Sequence, residues 1–429
     1  MKMSSTKKLV IKGPTTLNGT VDIAGAKNSA LPILAASLLT QDKVILRNIP
    51  KLSDIISMLE SLCFLDCKIC LNDDESISID SDQCKEKPIY EKLTEKTRAS
   101  ILLLGPLLAK FGEATIALPG GCKIGERPID YHISSLKKLG AEIHIKNNIV
   151  HASAPNGLKG NTIHLAKPSV GATENIIMAA SLAKGVTQVH NFAKEPEIHD
   201  LVDFLNKMGA KIKLLDDSCI EITGVNALHG CQHKIIGDRL EAGTYLIAAA
   251  ATRGSVTTTN VNPNHLTCVL DKLKESGANI TTTANSISLH MPNQPRAISV
   301  TTMPFPGFPT DLQAQWLAFN IIAQGSSKVI DTIYENRISH VTELEKLGAH
   351  LTLKQNEISA DGNDLLQGSD VRATDIRASA SLIIAGLTAK GETHIHNTSF
   401  IDRGYVSLEE KLRKIGAIIN RKREYAKAS

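Results

Sequence analysis

Aromatic residues are scarce in this 429-residue chain: eight Phe, six Tyr and one Trp make up 3% of it. Apolar residues still reach 42%, so a core can form, but it has to be built from Ala, Ile, Leu and Val. Long apolar runs are also missing. The best candidate, residues 245–252, falls far short of the ~18 residues a membrane helix needs, so no membrane insertion is expected. No apolar stretch follows the polar, basic residues 1–8, and no secretory signal is expected either. Neither sign of charge dominates. A net charge of +4 gives no sign of the basic stripe of a nucleic-acid binder, although it suits phosphorylated ligands. Without an export signal, the eight cysteines are expected to be reduced thiols in the cytoplasm. Cys63, Cys67 and Cys70 are close enough to raise zinc as an option. They lack a second half-site or a His-x-x-x-His pair, so half-buried core thiols and no metal are the expectation.

What the chain does have is internal repetition. Leu-Lys-Lys-Leu-Gly-Ala around Gly140 recurs as Leu-Asn-Lys-Met-Gly-Ala around Gly209 and Leu-Lys-Glu-Ser-Gly-Ala around Gly277. It returns as Leu-Glu-Lys-Leu-Gly-Ala around Gly348 and Leu-Arg-Lys-Ile-Gly-Ala around Gly416. A degraded copy at 61–69 carries Asp66 in the glycine position, and the successive steps are 74, 69, 68, 71 and 68 residues. A second element keeps the same period: an Ala- and Leu-rich helix, usually a glycine turn, then an alternating strand such as Val-Ile-Leu-Arg-Asn (44–48) or Thr-His-Ile-His-Asn (393–397). Glycine after a helix is the expected left-handed cap. Helices apolar nearly all round belong inside, so the reading is α/β with buried helices and strands outside. The length exceeds one ordinary core. Six pseudo-repeats of about 70 residues are therefore expected in two domains of three, an inside-out α/β barrel arrangement. The first domain is placed at 20–236, and the second at 237–429 together with 1–19.

Charged residues gather just before the first helix of several repeats: Lys27, Arg98, Asp238, Asp311, Asp375 and Arg377. Asp238, Asp311 and Asp375 each suit an N-cap. Lys27, in Gly-Ala-Lys-Asn-Ser (25–29), sits at a glycine turn before a helix, a plausible anion site, although locally a solvated loop lysine is the better expectation. Ser-Val-Gly-Ala-Thr (169–173) also opens a helix with free backbone N–H groups. The densest segment is Ala-Leu-Pro-Gly-Gly-Cys-Lys-Ile-Gly-Glu-Arg-Pro (117–128), which cannot be a helix or a central strand. Its Cys122 lies beside Lys123 and near Arg127, cations that favour a reactive thiolate, while an ordinary loop with a chance cysteine fits the residues alone about equally well.

These stretches resemble the enolpyruvyl transferases, and among them the UDP-N-acetylglucosamine 1-carboxyvinyltransferases. Further matching segments are Thr-Arg-Ala-Ser (97–100), Pro-Thr-Asp-Leu-Gln-Ala-Gln (309–315), Tyr-Glu-Asn-Arg (334–337) and Ile-Asp-Arg-Gly-Tyr (401–405). The resemblance covers essentially the whole chain. It implies the two-domain inside-out fold, with the N-terminal strand crossing into the second domain, and the first committed step of peptidoglycan synthesis, on which cell shape and division depend. The implied substrates are phosphoenolpyruvate and UDP-N-acetylglucosamine, with no cofactor.

Carried over by position, the resemblance has Lys27 and Asn28 contacting phosphoenolpyruvate and sugar. Arg98, Arg127 and Arg403 hold the anionic groups. Arg127, Pro128, Ile129, Asp130 and Tyr131, with Lys167, Pro168, Ser169 and Val170, line the nucleotide-sugar site. Asp311 and Ile333 lie at the sugar, with Arg337, Asp375 and Arg377 as further binding residues. Cys122 is the proton donor, able to form a phosphoenolpyruvate adduct and to be the target of fosfomycin. Asp311 is the expected base for the sugar hydroxyl. Two departures stand out, Gly237 where proline is commoner and Ser399-Phe400 before Ile401. The competing readings are transfer to shikimate 3-phosphate and a non-catalytic UDP-sugar sensor, which would be expected to have lost Lys27, Cys122, Asp311 or Arg403.

Overall fold

The computed structural model describes residues 5–90, 98–118, 129–334, 336–362 and 365–425. Those up to Ala24 and from Gly237 onward form one compact unit, and those from Gly25 to Ile236 the other.

Six helices rich in small and branched residues lie in the interior: α1 (Lys27–Ala36), α2 (Leu104–Phe111), α3 (Val170–Ala180), α4 (Arg239–Ala251), α5 (Gln313–Ile322) and α6 (Ile376–Thr388). Every residue of α4 is buried, as its apolar circumference requires. Within their unit α4, α5 and α6 pack directly on one another. Close approach needs small side chains, which is why Ala dominates where aromatics are few. The single Trp, Trp316, is fully buried against Phe308 and Phe319, and its indole N–H donates to Ile298 O at 2.9 Å. Outer helices such as Pro196–Lys207 and Thr267–Glu275 bury one face only.

Among the described residues each unit has three sheets, built to one plan. The strand that follows an inner helix pairs antiparallel with a hairpin strand, which pairs antiparallel with the strand after the outer helix, as in Val186–His190, Cys219–Thr223 and Lys211–Asp216. The last strand follows the Gly-Ala turn of the repeated motif. Its glycines at 140, 209, 277, 348 and 416 have φ between 94° and 109°, and Asp66 adopts φ 66° in the degraded copy. That conformation favours glycine.

A short parallel edge strand supplied by the preceding repeat completes the plan: Thr162–His164 on Val186–His190, and Asp370–Arg372 on Gly391–His396. In the Gly25–Ile236 unit, Gln232–Lys234 from its end pairs with Val44–Arg47 from its beginning, closing the three repeats on themselves. In the other unit closure falls to the N-terminus. Strand β1 (Ser5–Gly13) inserts between Gly391–His396 and Ile418–Tyr425, and β2 (Asn18–Asp22) lies parallel to Ser255–Thr259. Thr20, Val21 and Asp22 are paired there, and beyond them Ala24 accepts from Asp238 N at 2.9 Å and donates to Glu241 Oε2 at 2.8 Å. The crossing between units therefore falls at Ala24/Gly25, not at 19/20 as expected from the sequence.

A further repeat feature is not apparent from the sequence motifs. Asn48, Asn191, Asn260 and Asn397 each follow the strand after an inner helix with φ between 56° and 61°. Each side-chain amide donates to the carbonyl just after the parallel edge strand: Ile235, Leu165, Ile23 and Ala373, at 2.8, 2.8, 2.7 and 3.2 Å. Asparagine suits both tasks, since it tolerates the left-handed region and carries a local donor.

Ile11 of β1 is fully buried in the core of its unit. Ile11→Ala is expected to destabilise that unit by about 2–5 kcal/mol. Native-state hydrogen exchange should show protection lost in Gly391–His396 and Ile418–Tyr425 and retained in Val186–His190.

Candidate active site

In the unit from Gly237 onward, aspartates open three inner helices, but they do not share a role. Asp238 caps α4, accepting from Leu240 N at 2.8 Å and Glu241 N at 3.0 Å. Asp375 caps α6, accepting from Arg377 N at 2.8 Å and Ala378 N at 3.0 Å. For these two the N-cap expectation holds. Asp311 lies in the Thr310–Leu312 turn before α5 and is the N-cap residue of neither segment, those places being held by Pro309 and Leu312. Its Oδ1 instead meets Arg377 Nε and Arg337 Nη2, each at 3.1 Å.

Both guanidinium groups are buried and braced. Arg337 donates from Nη1 to Thr310 Oγ1 at 2.9 Å and lies 4.9 Å from the Tyr334 ring centre. Arg377 donates from Nη1 to the Tyr405 hydroxyl at 3.3 Å. Burial alone would lower the Arg377 pKa, but Asp311 and Tyr405 outweigh it and raise the group above its ordinary value. Thr244 Oγ1 already donates to Leu240 O at 2.8 Å, so the Tyr405 hydroxyl, 3.1 Å away, is the donor in their contact. Gln315 Nε2 lies 3.3 Å from the same hydroxyl and 3.0 Å from Asp311 O. Thr244, Gln315 and Arg377, one from each inner helix, thus converge on Tyr405. Burial pushes the Tyr405 phenol up, against the pull of Arg377.

Asp331 takes the place that asparagine holds in four other repeats. Its carboxylate gathers Thr302 Oγ1 at 2.8 Å, Thr310 Oγ1 at 2.7 Å, Ile333 N at 2.9 Å and Tyr334 N at 3.0 Å. It thereby fixes both the turn carrying Asp311 and the segment carrying Arg337. Ile333 remains partly exposed and Arg403 half-buried. Sequence reasoning misses Tyr405, Gln315, Thr244 and Asp331, although aligning the repeats on the asparagine would single out Asp331.

In the Gly25–Ile236 unit, Lys27 is the first residue of α1 and is buried, its Nζ 3.3 Å from Asp54 Oδ2, rather than solvated as its local sequence suggests. Asn28 follows it, half-buried. Ser29 Oγ bonds to Asp200 Oδ2, and Asp200 Oδ1 meets His233 Nε2 at 2.8 Å, fixing this helix start from below. Arg98 opens the Arg98–Leu103 turn ahead of α2. Ile129, Asp130 and Tyr131 begin the helix Asp130–Lys138, while Lys167 and Pro168 are exposed and Ser169 and Val170 half-buried at the start of α3. Cys122, Arg127 and Pro128 lie outside the described residues.

One buried histidine ties these last two segments together. Asn175 Oδ1 accepts from Gly105 N at 2.7 Å, so its amide nitrogen faces Ile101 O at 3.0 Å and His132 Nδ1 at 2.9 Å. His132 Nδ1 is then an acceptor and Nε2 carries the proton. The ring stands against Gly171, where an added Cβ would lie 3.0 Å from its Cε1. Farther along α3, burial pushes the Glu174 carboxyl well up, and Glu197 and Glu195 add to it.

Burial lowers the His132 pKa from 6.5 to about 4, against Asp130. The unfolded chain therefore binds the proton first as pH falls, and stability is lost between pH 6.5 and 4, to the extent of roughly 3 kcal/mol. His132→Gln keeps a side-chain acceptor and removes the titration. Protection of α3 amides, corrected for intrinsic exchange, should lose much of its pH slope in that variant; an unchanged slope would place the titration elsewhere.

Comparison with known proteins follows the same lines. Residues 11–412 match the family model described as EPSP synthase (3-phosphoshikimate 1-carboxyvinyltransferase). A UDP-N-acetylglucosamine 1-carboxyvinyltransferase from Hydrogenovibrio crunogenus is 48% identical over 415 residues, covering 96% of this chain and 99% of its own. One of the same name from Coxiella burnetii is 46% identical, covering 96% of each. Among solved structures, the enolpyruvyl transferase NikO from Streptomyces tendae superposes with a TM-score of 0.89 at 23% identity, over 98% of this chain and 100% of that one. An EPSP synthase from Acinetobacter baumannii gives 0.75 at 18% identity, with the same coverage. With both units built on one repeat plan and the match running through nearly all of it, this chain belongs to the EPSP synthase family of enolpyruvyl transferases.

Proposed function

We propose that this protein transfers the enolpyruvyl group of phosphoenolpyruvate to the 3-hydroxyl of UDP-N-acetylglucosamine and releases phosphate. The observation that carries the reading is Asp311: of three helix-opening aspartates in one unit, it alone is not used as a cap and is instead oriented by two buried guanidinium groups. The names of relatives 46–48% identical over 96% of the chain support the choice of acceptor.

In this reading Asp311 accepts the proton of the sugar hydroxyl as its oxygen attacks C2 of the enol. Cys122 delivers a proton to C3, giving a tetrahedral adduct. Loss of a C3 proton and cleavage of the bond to the phosphate oxygen then restore the double bond. Lys27, Arg98, Arg127 and Arg403 hold the carboxylate and phosphate, for which planar guanidinium forks are suited. Asn28, Ile333, Arg337, Asp375 and Arg377 support the sugar side. The segments at 127–131 and 167–170 take the nucleotide, with His132 bracing them through Gly171. The product is a committed precursor of peptidoglycan, made in the cytoplasm where both substrates are found. No helix among the described residues is long and apolar enough to cross a membrane.

Purified protein should release phosphate from phosphoenolpyruvate when UDP-N-acetylglucosamine is added. Release driven by shikimate 3-phosphate instead would overturn the choice of acceptor, and release with neither sugar would overturn the reaction.

Asp311→Asn keeps an acceptor for the two arginines but is a far weaker base. Turnover is expected to fall by about two to four orders of magnitude. Loss of the charge partner is expected to cost on the order of 1–3 kcal/mol of stability. Near-normal turnover in a folded variant would reduce Asp311 to an anchor for Arg337 and Arg377.

A further inference from the structure

The degraded first repeat holds two thiols in contact. Cys67 Sγ lies 3.5 Å from Cys84 Sγ, seventeen positions along the chain, with the Cys67 S–H as donor. The two segments are held side by side by independent contacts. Lys85 N donates to Leu65 O at 3.0 Å, and Lys87 Nζ pairs with Asp66 Oδ1 at 2.5 Å while lying 5.6 Å from the Phe64 ring centre. Asp66, in the left-handed region, turns the chain so that Cys67 N closes on Leu62 O at 3.0 Å. A disulfide requires the sulfurs to approach to about 2.0 Å, a shift of the order of 1.5 Å that side-chain rotation and slight loop movement supply.

We propose that Cys67 and Cys84 form a redox-responsive dithiol, which hydrogen peroxide closes into a disulfide spanning the hairpin of Lys68–Leu71 and Ile77–Asp80. The electrostatics favour a thiolate at Cys84. Its pKa is lowered by the bond from Cys67, with Lys110 and Lys87 adding to it against burial and Asp66. Lys110 is itself fixed at the site, donating to Thr40 O at 3.1 Å and Ser81 O at 3.0 Å. Burial pushes Cys219, Cys231 and Cys268 the other way. Cys84 is buried but stands between exposed Gln83 and Lys85, so a small opening of this loop admits a molecule the size of peroxide.

The chemistry balances in two steps. The Cys84 thiolate attacks one peroxide oxygen; an S–O bond forms, the O–O bond breaks, and the departing hydroxide takes a proton from solvent to become water. The Cys67 sulfur then attacks the Cys84 sulfenic acid. The S–S bond forms, the S–O bond breaks, and a second water leaves carrying the Cys67 proton. Two thiols are oxidised to one disulfide, and one peroxide is reduced to two waters.

The test uses full-length protein treated with hydrogen peroxide, alkylated, and digested with trypsin without reduction. Cleavage after Lys51, Lys68 and Lys85 puts Cys67 on one peptide with Cys63, and Cys84 on another with Cys70. The expected product is the linked pair of these peptides, with fragment ions placing the bond between Cys67 and Cys84 and the alkyl groups on Cys63 and Cys70, and dithiothreitol should dissolve it. In Cys67→Ser, which keeps a donor beside Cys84 but cannot close the bond, dimedone should label Cys84; in Cys84→Ser, Cys67 should stay unlabelled. If either variant fails to fold, the fragment ions of the linked peptides from the natural chain, which show which cysteine of each peptide is bonded and which is alkylated, decide alone. Oxidation of exposed Cys63 or Cys70 with no Cys67–Cys84 link, or a link joining either thiol to another cysteine, overturns the proposal.

Discussion

Six helices with almost no polar circumference have to be removed from water on every side, and most other features of the fold follow from that requirement. An α-helix buried all round leaves its backbone satisfied along its length, and only its ends carry orphan groups. Sheets must therefore lie outside, and polar side chains destined for function are confined to the ends. Asp238, Asp375, Lys27 and Ser169 all sit where an inner helix begins. At such a point an unpaired N–H is costly and an anion is welcome. The candidate residues of each unit are thus placed at these ends by the same burial that makes the core.

Repetition offers equivalent positions, and the copies do not all use them alike. Asp238 and Asp375 spend their carboxylates on backbone N–H groups, which holds the helices but leaves little for a substrate. Asp311 is displaced by a one-turn 3-10 segment and gives its carboxylate to Arg337 and Arg377. Asp331 shows the same logic. Asparagine at this position binds one carbonyl; a carboxylate cannot donate, so it collects two hydroxyls and two backbone N–H groups and orders the surrounding segment.

Local patterns in the chain encode much of this. The recurring Gly-Ala turn marks out five of the six units, because a left-handed turn favours glycine and so leaves a trace in sequence. The Ala-rich composition marks the buried helices. The resemblance supplies Lys27, Asp311, Arg337 and Arg377, which the structure places at helix starts or beside one. Contacts between residues distant in sequence are not legible in this way. Tyr405 meets Thr244 across 161 positions and Asn175 meets His132 across 43, and no local pattern encodes either. The crossing point between units is misplaced by sequence reasoning for the same reason: β2 is a strand only because Ser255–Thr259 lies beside it.

The cysteines carry that argument one step further. By spacing alone Cys63, Cys67 and Cys70 look like one group, yet Cys63 and Cys70 are exposed while Cys67 is buried. The turn at Asp66 decides this: reversing the chain just before Cys67 sends that residue back toward Leu62 and the Cys84 segment. A glycine here would allow the same turn, but it would lack the carboxylate that holds Lys87 across the two segments. The loss of the repeat's glycine is therefore not mere decay. The substitution that blurs the repeat in sequence also supplies one of the contacts that bring the two sulfurs together.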